Sequence, residues 1–553
     1  MGEELQQILR GETVMVIVPH EDDEINLAGA AIYDAVQAGM RVFCVFVTNG
    51  DWYYPGQVRI REAVHSLNRL GVPEENVLFL GYPDGGVDGT RNVYMQGQDR
   101  PVNVNGRSET YGIPEHPEFA MAEYGQHQPY LWSSLLEDLE TVILKYRADV
   151  LISVDLDWHP DHRLCSVAFD QVMGRILNRK GNTYHPLVLK GFAYATAYEA
   201  NDDLSARNLL SVRYDRHQES DSGWSTDDPA LEWERRLRLP VSVRCRCRQL
   251  RRNPLYQAMC CHVSQRMFGR AGRIINGDQV FWQRRTDNLA FTGQWTASSG
   301  ETDGLHDFLI VHPARMTEPR TKMTGICWRP ERGKAAWCRC TFSRPRRVSR
   351  MILYGAPEDE NNILESELSF SNGKSFRIGP LRRGGQPTEV RCPITEAVQW
   401  VQFRILRSEG AEAGLAEWEI FEQPDSGIRV LKILCDGQFA YVWYAAPQYP
   451  PVISAYTYGI DGGIRWYLNG QRSRLETIQK VCTSLRLPCT IRAEWEGDPH
   501  LADEVRILPW NWKFAVSSLM RKWEMRVVQH LERWREKPEH HRAKTMAREQ
   551  FHS

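Results

Sequence analysis

The chain has 553 residues, of which 42% are hydrophobic and 25% are charged, a composition that is typical of folded globular proteins and excludes an intrinsically disordered chain. Its 68 Lys and Arg residues nearly balance its 70 Asp and Glu residues, so the net charge is -2 and no general attraction to nucleic acid is expected. At roughly 150 residues per domain, the length favours three to four domains.

The sequence also bears on where the protein resides. Glu3 and Glu4 stand where a secretory signal would carry basic residues, and no apolar core follows them. No apolar run approaches the about 18 residues that a membrane-spanning helix needs. We therefore expect a cytoplasmic protein with no membrane span, and we expect its 13 scattered cysteines to be mostly reduced.

The N-terminal part of the chain alternates short apolar runs with segments of helical periodicity. Runs at 14–18, 41–47, 77–80 and 150–154 have the length and composition of buried strands. This βαβ order predicts an α/β fold with a Rossmann-like parallel sheet that is covered by helices on both faces. In such a sheet, ligands bind beyond the carboxyl ends of the strands.

The sequence pattern changes near residue 290. Short strands with alternating apolar residues, separated by Gly-containing turns, predict a β-sandwich over 291–424 and a second small β-rich domain over 425–508. The segment 509–553 is predicted to be an amphipathic helix and a tail, since apolar side chains recur at helical spacing between 514 and 534. Three roles stay open for this helix: docking on the chain's own domains, contact with a partner or a second copy, and binding to a membrane surface.

Acidic and imidazole side chains directly follow two of the predicted strands. The first segment, Pro19-His20-Glu21-Asp22-Asp23-Glu24, follows Val18, and the second, Asp155 to His162, follows Val154. Two His and one carboxylate with an open fourth position form a catalytic zinc arrangement. Because so much like charge would be costly without a cation, the two segments predict a metal site if their strands are neighbours.

A metal site of this kind suits the hydrolysis of an amide or an ester. A bound Zn²⁺ lowers the pKa of its water to about 7 and polarises the carbonyl. A free carboxylate takes up the proton and passes it to the leaving amine, while a hydrogen-bond donor holds the oxyanion. The polar loop from Asp84 to Gln128 is long for a connector and is predicted to be a substrate lid.

The first segment resembles the His-Pro-Asp-Asp-Glu signature of the PIG-L/LmbE family of zinc-dependent N-acetylglucosaminyl deacetylases. His159-Pro-Asp-His162 resembles the family's His-x-Asp-His signature, and His262-Val-Ser-Gln265 resembles a His-x-Ser-Gln element near the end of the family domain. The resemblance covers 1–290, which is therefore predicted to be the deacetylase domain. One departure is Glu21, where the family usually has Pro, and this residue adds a charge near the metal.

The resemblance implies a role for six residues of the two segments. His20, Asp23 and His162 would bind Zn²⁺, with Fe²⁺ or Co²⁺ as alternatives. Asp22 would act as general base and then as general acid, His159 would stabilise the oxyanion, and Asp161 would orient it. The predicted substrate contacts include two aromatic side chains that would stack on sugar rings; these contacts are Arg59, Asp84, Trp52 and Trp158.

The β region resembles a discoidin (F5/8 type C), galactose-binding-like sandwich in core and turn residues such as Trp337, Phe370-Ser-Asn-Gly373 and Trp400-Val-Gln-Phe403. Such domains often bind glycans, and a scaffold role stays open here. The leading hypothesis is hydrolytic removal of an N-acetyl group from a GlcNAc-containing glycan or glycoconjugate, with release of acetate. Two alternatives remain: a glycan-binding protein with a vestigial deacetylase domain, and a hydrolase of another acyl amide or ester.

Overall fold

The computed structural model describes residues 11–85, 105–156, 159–193, 236–309, 335–356, 360–445, 451–473 and 486–510, with shorter pieces at 5, 8, 9, 102, 103, 328–331 and 358. Towards the C-terminus it describes residues 512, 516, 519, 520, 523, 526, 527 and 530, all of which are helical.

A seven-stranded sheet is the centre of the N-terminal domain. Its strands are β1 (Thr13–Val18), β2 (Arg41–Thr48), β3 (Val77–Tyr82), β4 (Val150–Val154), β5 (Leu187–Gly191), β6 (Leu237–Pro240) and β7 (Asp278–Arg284). They lie in the order β3-β2-β1-β4-β5-β7-β6. The first five strands pair in parallel, which confirms the predicted Rossmann-like sheet. The far edge differs from the prediction, since β7 pairs antiparallel with β5 and β6; with only four residues, β6 is too short to show a periodicity.

Helices pack against this sheet and cover its apolar strands. They are α1 (Asp23–Gln37), α2 (Gly56–Leu70), α3 (Phe119–Tyr124), α4 (Trp132–Tyr146), α5 (Pro160–Leu177), α6 (Pro254–Met259) and α7 (Ala271–Ile274). Short 3₁₀ turns lie at Glu74–Asn76, Leu250–Arg252, Met267–Arg270, Leu289–Thr292 and Asp303–Leu305. The strands β1 and β4 are buried along almost their whole length, as expected for parallel strands with both faces covered.

The strand order reverses between β1 and β4. The chain runs from β1 to β2 and β3 in one direction, and β4 and β5 continue in the other. Val14 pairs with Val150 and Ile17 pairs with Ser153, so the two strands end side by side. A crevice beyond the carboxyl ends of strands at such a reversal is where open α/β sheets bind ligands. Because β1 and β4 are neighbours, the condition set by the sequence analysis is met and the two acidic segments face each other.

A β-sandwich follows the N-terminal domain. Its strands are β8 (Gln294–Ala297), β9 (Trp337–Arg346), β10 (Arg350–Gly355), β11 (Ile363–Phe370), β12 (Ser375–Ile378), β13 (Pro387–Arg391), β14 (Val398–Ser408) and β15 (Leu415–Phe421). A five-stranded sheet in the order β12-β11-β14-β9-β8 faces a three-stranded sheet in the order β13-β10-β15. Alternate side chains of both sheets, together with Trp328 and Trp418, fill one apolar core.

A second pair of sheets forms the next β-rich unit. Its strands are β16 (Val430–Cys435), β17 (Gln438–Phe439), β18 (Val442–Ala445), β19 (Ile453–Tyr458), β20 (Ile464–Leu468), β21 (Gln471–Arg472), β22 (Cys489–Trp495) and β23 (Ala502–Pro509). They form sheets in the orders β17-β16-β19 and β18-β23-β22-β20-β21. Phe439 and Tyr456 extend from this unit into the core of the N-terminal domain, and the hydroxyl of Tyr456 accepts a 2.9 Å hydrogen bond from the backbone N–H of Arg238.

The helical residues towards the C-terminus carry an exposed apolar stripe. Val516 is 46% exposed, and Leu519, Met520 and Trp523 are 67–70% exposed. The exposure of these four side chains gives no support to the first of the three roles left open for this helix, docking on the chain's own domains. None of the described helices combines the length and the apolar character needed to cross a lipid bilayer.

The first β-sandwich is joined to the N-terminal domain through α5, the helix that carries His162. A Cβ placed on Gly174 of α5 would lie 1.9 Å from the backbone oxygen of Asp307. One helical turn further on, Asn178 Nδ2 donates a 2.8 Å hydrogen bond to the backbone oxygen of His306. Arg284 Nη2 donates a 3.1 Å bond to the backbone oxygen of Phe308. The helix and the sandwich are thus in direct contact.

Replacing Gly174 by Ala is expected to destabilise the protein by about 1–3 kcal/mol, because the new methyl group overlaps the Asp307 carbonyl. The overlap therefore outweighs the roughly 1 kcal/mol by which Ala is favoured over Gly inside a helix. The matched control is Gly269→Ala, whose added Cβ has no atom within 4 Å. Thermal unfolding of both variants checks the expectation, and equal Tm values would contradict the described contact.

Candidate metal centre

Two helix starts bring the predicted ligands together. The segment after β1 turns directly into α1, which begins at Asp23. The segment after β4 turns into α5, where Pro160 occupies the first turn and His159 is the N-cap residue. Pro fits the first helical position because its missing N–H needs no partner there. Both turns place their polar side chains above the junction of β1 and β4.

The three predicted ligands meet around the Asp23 carboxylate. His20 Nδ1 lies 3.0 Å from Asp23 Oδ2, and His162 Nε2 lies 3.1 Å from the same oxygen. All three residues are buried. Donor atoms that share one tetrahedral ion at about 2.1 Å are about 3.4 Å apart, and the two distances to Asp23 Oδ2 are close to this value.

Further donor atoms surround the same space. One atom from each of His20, His159 and His162 lies within 4.8 Å of the others, and the same holds for His20, Asp84 and Asp161. His20 Nε2 is 3.5 Å from Asp161 Oδ2 and 3.8 Å from Asp84 Oδ1. Among the described residues, neither His20 Nε2 nor Asp161 Oδ2 has a hydrogen-bond partner. Buried imidazole and carboxylate donors of this kind fit Zn²⁺, Fe²⁺ or Co²⁺.

The charge balance of the site also fits a cation. Its buried carboxyl groups outnumber the neighbouring guanidinium groups of Arg59 and Arg270; they belong to Glu21, Asp22, Asp23, Asp84 and Asp161. Burial, and then the charge of Asp84, raise the pKa of Asp161 to about 7. Burial raises the pKa of Glu21 to about 8. A divalent ion would compensate this excess of acid groups.

The remaining shifts distinguish the roles of the imidazoles. Burial opposes ionisation of Asp23, but His162 and His20 beside it hold the pKa of this carboxyl well below its usual range. Burial, followed by the charges of His162 and His20, lowers the pKa of His159 well below the ordinary histidine value. His159 is therefore expected to be neutral at physiological pH. A neutral imidazole has one donor and one acceptor nitrogen.

Asp22, the predicted general base, has an unusual backbone conformation. Its φ of 147° is in the region that side chains other than Gly rarely adopt, and such conformations cost about 1–3 kcal/mol. Glu24 Oε2 accepts a 2.9 Å hydrogen bond from the Asp22 N–H. Arg59 Nη2 donates to Asp22 Oδ1 at 3.2 Å, and Arg270 Nη1 donates to Oδ2 at 3.0 Å. Three polar contacts therefore hold the strained residue, one at its backbone N–H and one at each carboxylate oxygen.

Arg59, a predicted substrate contact, makes several contacts within the protein. Its guanidinium donates to the backbone oxygens of Gly50 and Glu21 at 2.9 and 2.8 Å, and its Nε lies 3.4 Å from the Glu21 carboxylate. The residue is buried beneath the loop that carries the metal ligands. It braces this loop in the structure, and its contact with a sugar stays a prediction.

The other predicted substrate residues have varied positions. Asp84 lies beside His20, and its N–H donates to Asp51 Oδ1 at 3.2 Å. Asp51 also accepts bonds from the long loop, at 2.9 Å from Asn103 and 2.8 Å from Tyr111, so the described part of the predicted lid is tied to the end of β2. Trp52 is half-buried and meets Tyr53 edge to face. Trp158 and residues 86–101 and 104 of the predicted lid lie outside the described residues.

The segment 254–274 contributes contacts that the sequence did not assign. His262 Nε2 lies 2.8 Å from Glu24 Oε1, and Ser264 donates to Glu62 on α2 through both its N–H and its hydroxyl. Arg270 reaches Asp22. The His-x-Ser-Gln element pointed to the first two residues without giving their contacts, and no pattern in the sequence marked Arg270.

Comparison with protein families matches residues 15–173 to the PIG-L model, described as GlcNAc-PI de-N-acetylase. This segment is a PIG-L domain. The matched residues begin within β1 and include β2 to β4 and both signature segments. The 254–274 segment lies beyond them. Residues 288–421 match a second model, a domain of unknown function (DUF7402). The search of curated proteins gave no match.

Several solved structures resemble parts of the chain. The N,N'-diacetylchitobiose deacetylase from Pyrococcus horikoshii is 18% identical over 34% of this chain and 62% of its own, with a TM-score of 0.24. A deacetylase triple mutant involved in the teicoplanin biosynthetic pathway is 14% identical over 50% and 99%, with a TM-score of 0.27. The family 32 carbohydrate-binding module from Streptococcus pneumoniae EndoD is 14% identical over 25% and 99%, with a TM-score of 0.19. The chain thus spans less than two thirds of the Pyrococcus enzyme.

Metal binding has an expected signature that does not depend on activity. If the site binds Zn²⁺ only when folded, the free ion at about 100 times its Kd stabilises the protein by about 2.7 kcal/mol. Chelator-treated protein is therefore expected to show a higher Tm after addition of Zn²⁺, Co²⁺ or Fe²⁺. Mg²⁺, which prefers oxygen ligands and retains water, serves as the control. A Tm that none of the three transition metals changes would contradict a metal centre.

Proposed function

We propose that the chain is a metal-dependent hydrolase that removes the N-acetyl group from a GlcNAc-containing glycan or glycoconjugate. The observation that carries the proposal is the position of the Asp23 carboxylate. Its Oδ2 lies 3.0 Å from His20 Nδ1 and 3.1 Å from His162 Nε2, within the residues that match the PIG-L model. Asp22 and His159 lie in the same two turns. These residues supply each group that amide hydrolysis needs.

Each protein group has a defined task in the proposed reaction. When held by His20, Asp23 and His162, a divalent ion such as Zn²⁺ supplies Lewis acidity for polarising a carbonyl and acidifying a water. Asp22 takes up the proton of the attacking water and later delivers it to the amine nitrogen. Since Arg270 is partly exposed whereas Arg59 is buried, the Oδ2 atom that faces Arg270 is the expected proton acceptor.

The tautomer of His159 suits it to the oxyanion. Its Nδ1 accepts a 3.3 Å hydrogen bond from the Asp161 N–H, which places the ring proton on Nε2. A neutral imidazole with a proton on Nε2 can donate to the oxygen of the acetyl carbonyl as negative charge develops there. Oδ2 of the Asp161 carboxylate lies 3.7 Å from the same Nδ1, beyond hydrogen-bonding distance, so in this tautomer Asp161 orients the ring through its backbone N–H.

The substrate is proposed to be an uncharged N-acetylated sugar, and the first β-sandwich is proposed as a second glycan contact. The nearly neutral chain gives no steering towards a charged ligand. The half-buried Trp52 and the exposed Tyr53 lie next to the end of β2, where aromatic faces suit stacking on a sugar ring.

The direct experiment is a screen for acetate release across N-acetylated monosaccharides, oligosaccharides and glycoconjugates, with protein loaded with Zn²⁺, Co²⁺ or Fe²⁺. Release of acetate together with an equal amount of new amine is expected for at least one sugar. Metal-loaded protein that releases no acetate from any of them would contradict the proposal, and glycan binding by such protein would favour a vestigial enzyme.

A further inference from the structure

Glu24 connects the backbone of Asp22, in the segment that follows β1, to the interior of the N-terminal domain. Its Oε2 accepts from the Asp22 N–H at 2.9 Å. Its other carboxylate oxygen, Oε1, lies 2.8 Å from His262 Nε2 and accepts from the Ser66 hydroxyl at 3.3 Å. Glu24 is fully buried. One carboxylate therefore bridges the strained Asp22 backbone and an imidazole that is 238 residues further along the chain.

His262 has no other polar role among the described residues. The side chain is fully buried, and its second ring nitrogen, Nδ1, has no hydrogen-bond partner in the described part of the chain. Burying a polar ring costs free energy unless its hydrogen bonds are made. The contact with Glu24 is thus the polar interaction that this ring makes in the core.

The backbone around His262 keeps the ring in place. The His262 carbonyl accepts from the N–H of Met267 at 3.3 Å. Two residues on, Ser264 fixes the segment to α2 through Glu62, with bonds of 2.8 Å from its N–H and 2.6 Å from its hydroxyl. The backbone that presents the imidazole to Glu24 is therefore anchored to α2 by Ser264.

We propose that His262 is a positioning residue for Asp22 and acts through Glu24. The inference deepens the proposed function and rests on it, because the positioned group is the proposed general base. The His262–Glu24 contact fixes the carboxylate that holds the Asp22 N–H, and so keeps Asp22 at its strained φ of 147°. The active site then extends to the 254–274 segment, beyond the residues 15–173 that match the PIG-L model.

A matched pair of variants separates positioning from packing. His262→Gln keeps a side-chain N–H that can donate to Glu24, whereas His262→Leu fills the space and removes the donor. His262→Leu is expected to lower kcat by about 10–100-fold, the usual effect of losing an outer contact of a metal site, with KM changed less than about twofold and metal content per chain unchanged. His262→Gln is expected to restore most of the lost kcat.

Two further variants identify the route. Combining His262→Leu with Glu24→Ala is expected to lower kcat no further than Glu24→Ala alone, because both changes remove the same link. Asp34→Asn weakens a buried contact between α1 and the Ser242 N–H and leaves Glu24 and His262 untouched, so it is expected to lower Tm with kcat retained. Additive effects of the double variant, or equal kcat values for His262→Gln and His262→Leu, would overturn the positioning role.

A crystal structure of His262→Leu tests the inference without an assay. The Asp22 φ is expected to leave the positive region, and an unchanged φ would overturn the proposal. If the unaltered protein releases no acetate from any N-acetylated sugar, the proposed function fails, and the Asp22 conformation in this variant still decides whether His262 positions the loop.

Discussion

Replacing Asp22 by Ala is expected to lower acetate release by about 10²–10⁴-fold, the usual contribution of a positioned acid-base group. Metal content is expected to stay at the level of the unaltered protein, since Asp22 is not among the proposed ligands and contacts Arg59 and Arg270. Acetate release and bound metal are measured on the same samples. Asp22→Asn is the companion variant, because Asn has the size of Asp and lacks its charge and its capacity to take up a proton.

The matched control for Asp22→Ala is Asp34→Asn. Asp34 is a buried acid on the same helix, α1, and its carboxylate accepts a 2.9 Å bond from the Ser242 N–H. This variant removes a buried charge at a distance from the two ligand segments and is expected to retain acetate release. Normal turnover by Asp22→Ala would rule out Asp22 as the acid-base group.

Replacing Asp23 by Ala is expected to remove both metal and activity. The Asp23 carboxylate is the point where His20 and His162 meet, at 3.0 and 3.1 Å. Its loss is expected to weaken metal binding by more than the roughly 10–100-fold that loss of an outer contact costs. Metal analysis of purified protein and titration of chelated protein with Zn²⁺ measure this effect.

Glu21→Gln is the control for Asp23→Ala, since it removes a carboxylate from the same loop without changing a proposed ligand. The Glu21 side chain is fully buried and lies near Arg59. The variant is expected to bind metal. If Asp23→Ala bound as much Zn²⁺ as Glu21→Gln, the ligand set would have to be drawn from the three imidazoles, which also lie within 4.8 Å of one another.

The central part of the fold was predictable because its signals are local. Buried parallel strands give continuous apolar runs, and the runs at 14–18, 41–47, 77–80 and 150–154 correspond to β1 to β4, whereas β5 contains the buried Lys190 and was not predicted. The position of His20 to Asp23 directly after β1, and of His159 to His162 after β4, placed both segments at the same edge of a parallel sheet. Their proximity then required only that β1 and β4 be neighbours.

The contacts around Asp22 were not predictable in the same way. Arg270 contacts Asp22 and His262 contacts Glu24, more than 200 residues away along the chain. A single Arg or His has no periodic pattern that marks it in the sequence. Arg59 lies on α2, but its bonds to Gly50 and Glu21 depend on how two loops fold beneath the site. Alternating strands indicated the β-sandwich, whereas its contact with Gly174 depends on tertiary packing.

The most direct test of the whole account is a single experiment on chelated and reconstituted protein. Acetate and new free amine are quantified together from the best N-acetylated sugar, before and after addition of one equivalent of Zn²⁺. The account predicts equal amounts of acetate and amine, produced only by the reconstituted protein and strongly reduced in Asp22→Ala. Equal release by chelated and reconstituted protein, or by the Asp22→Ala variant, would contradict it.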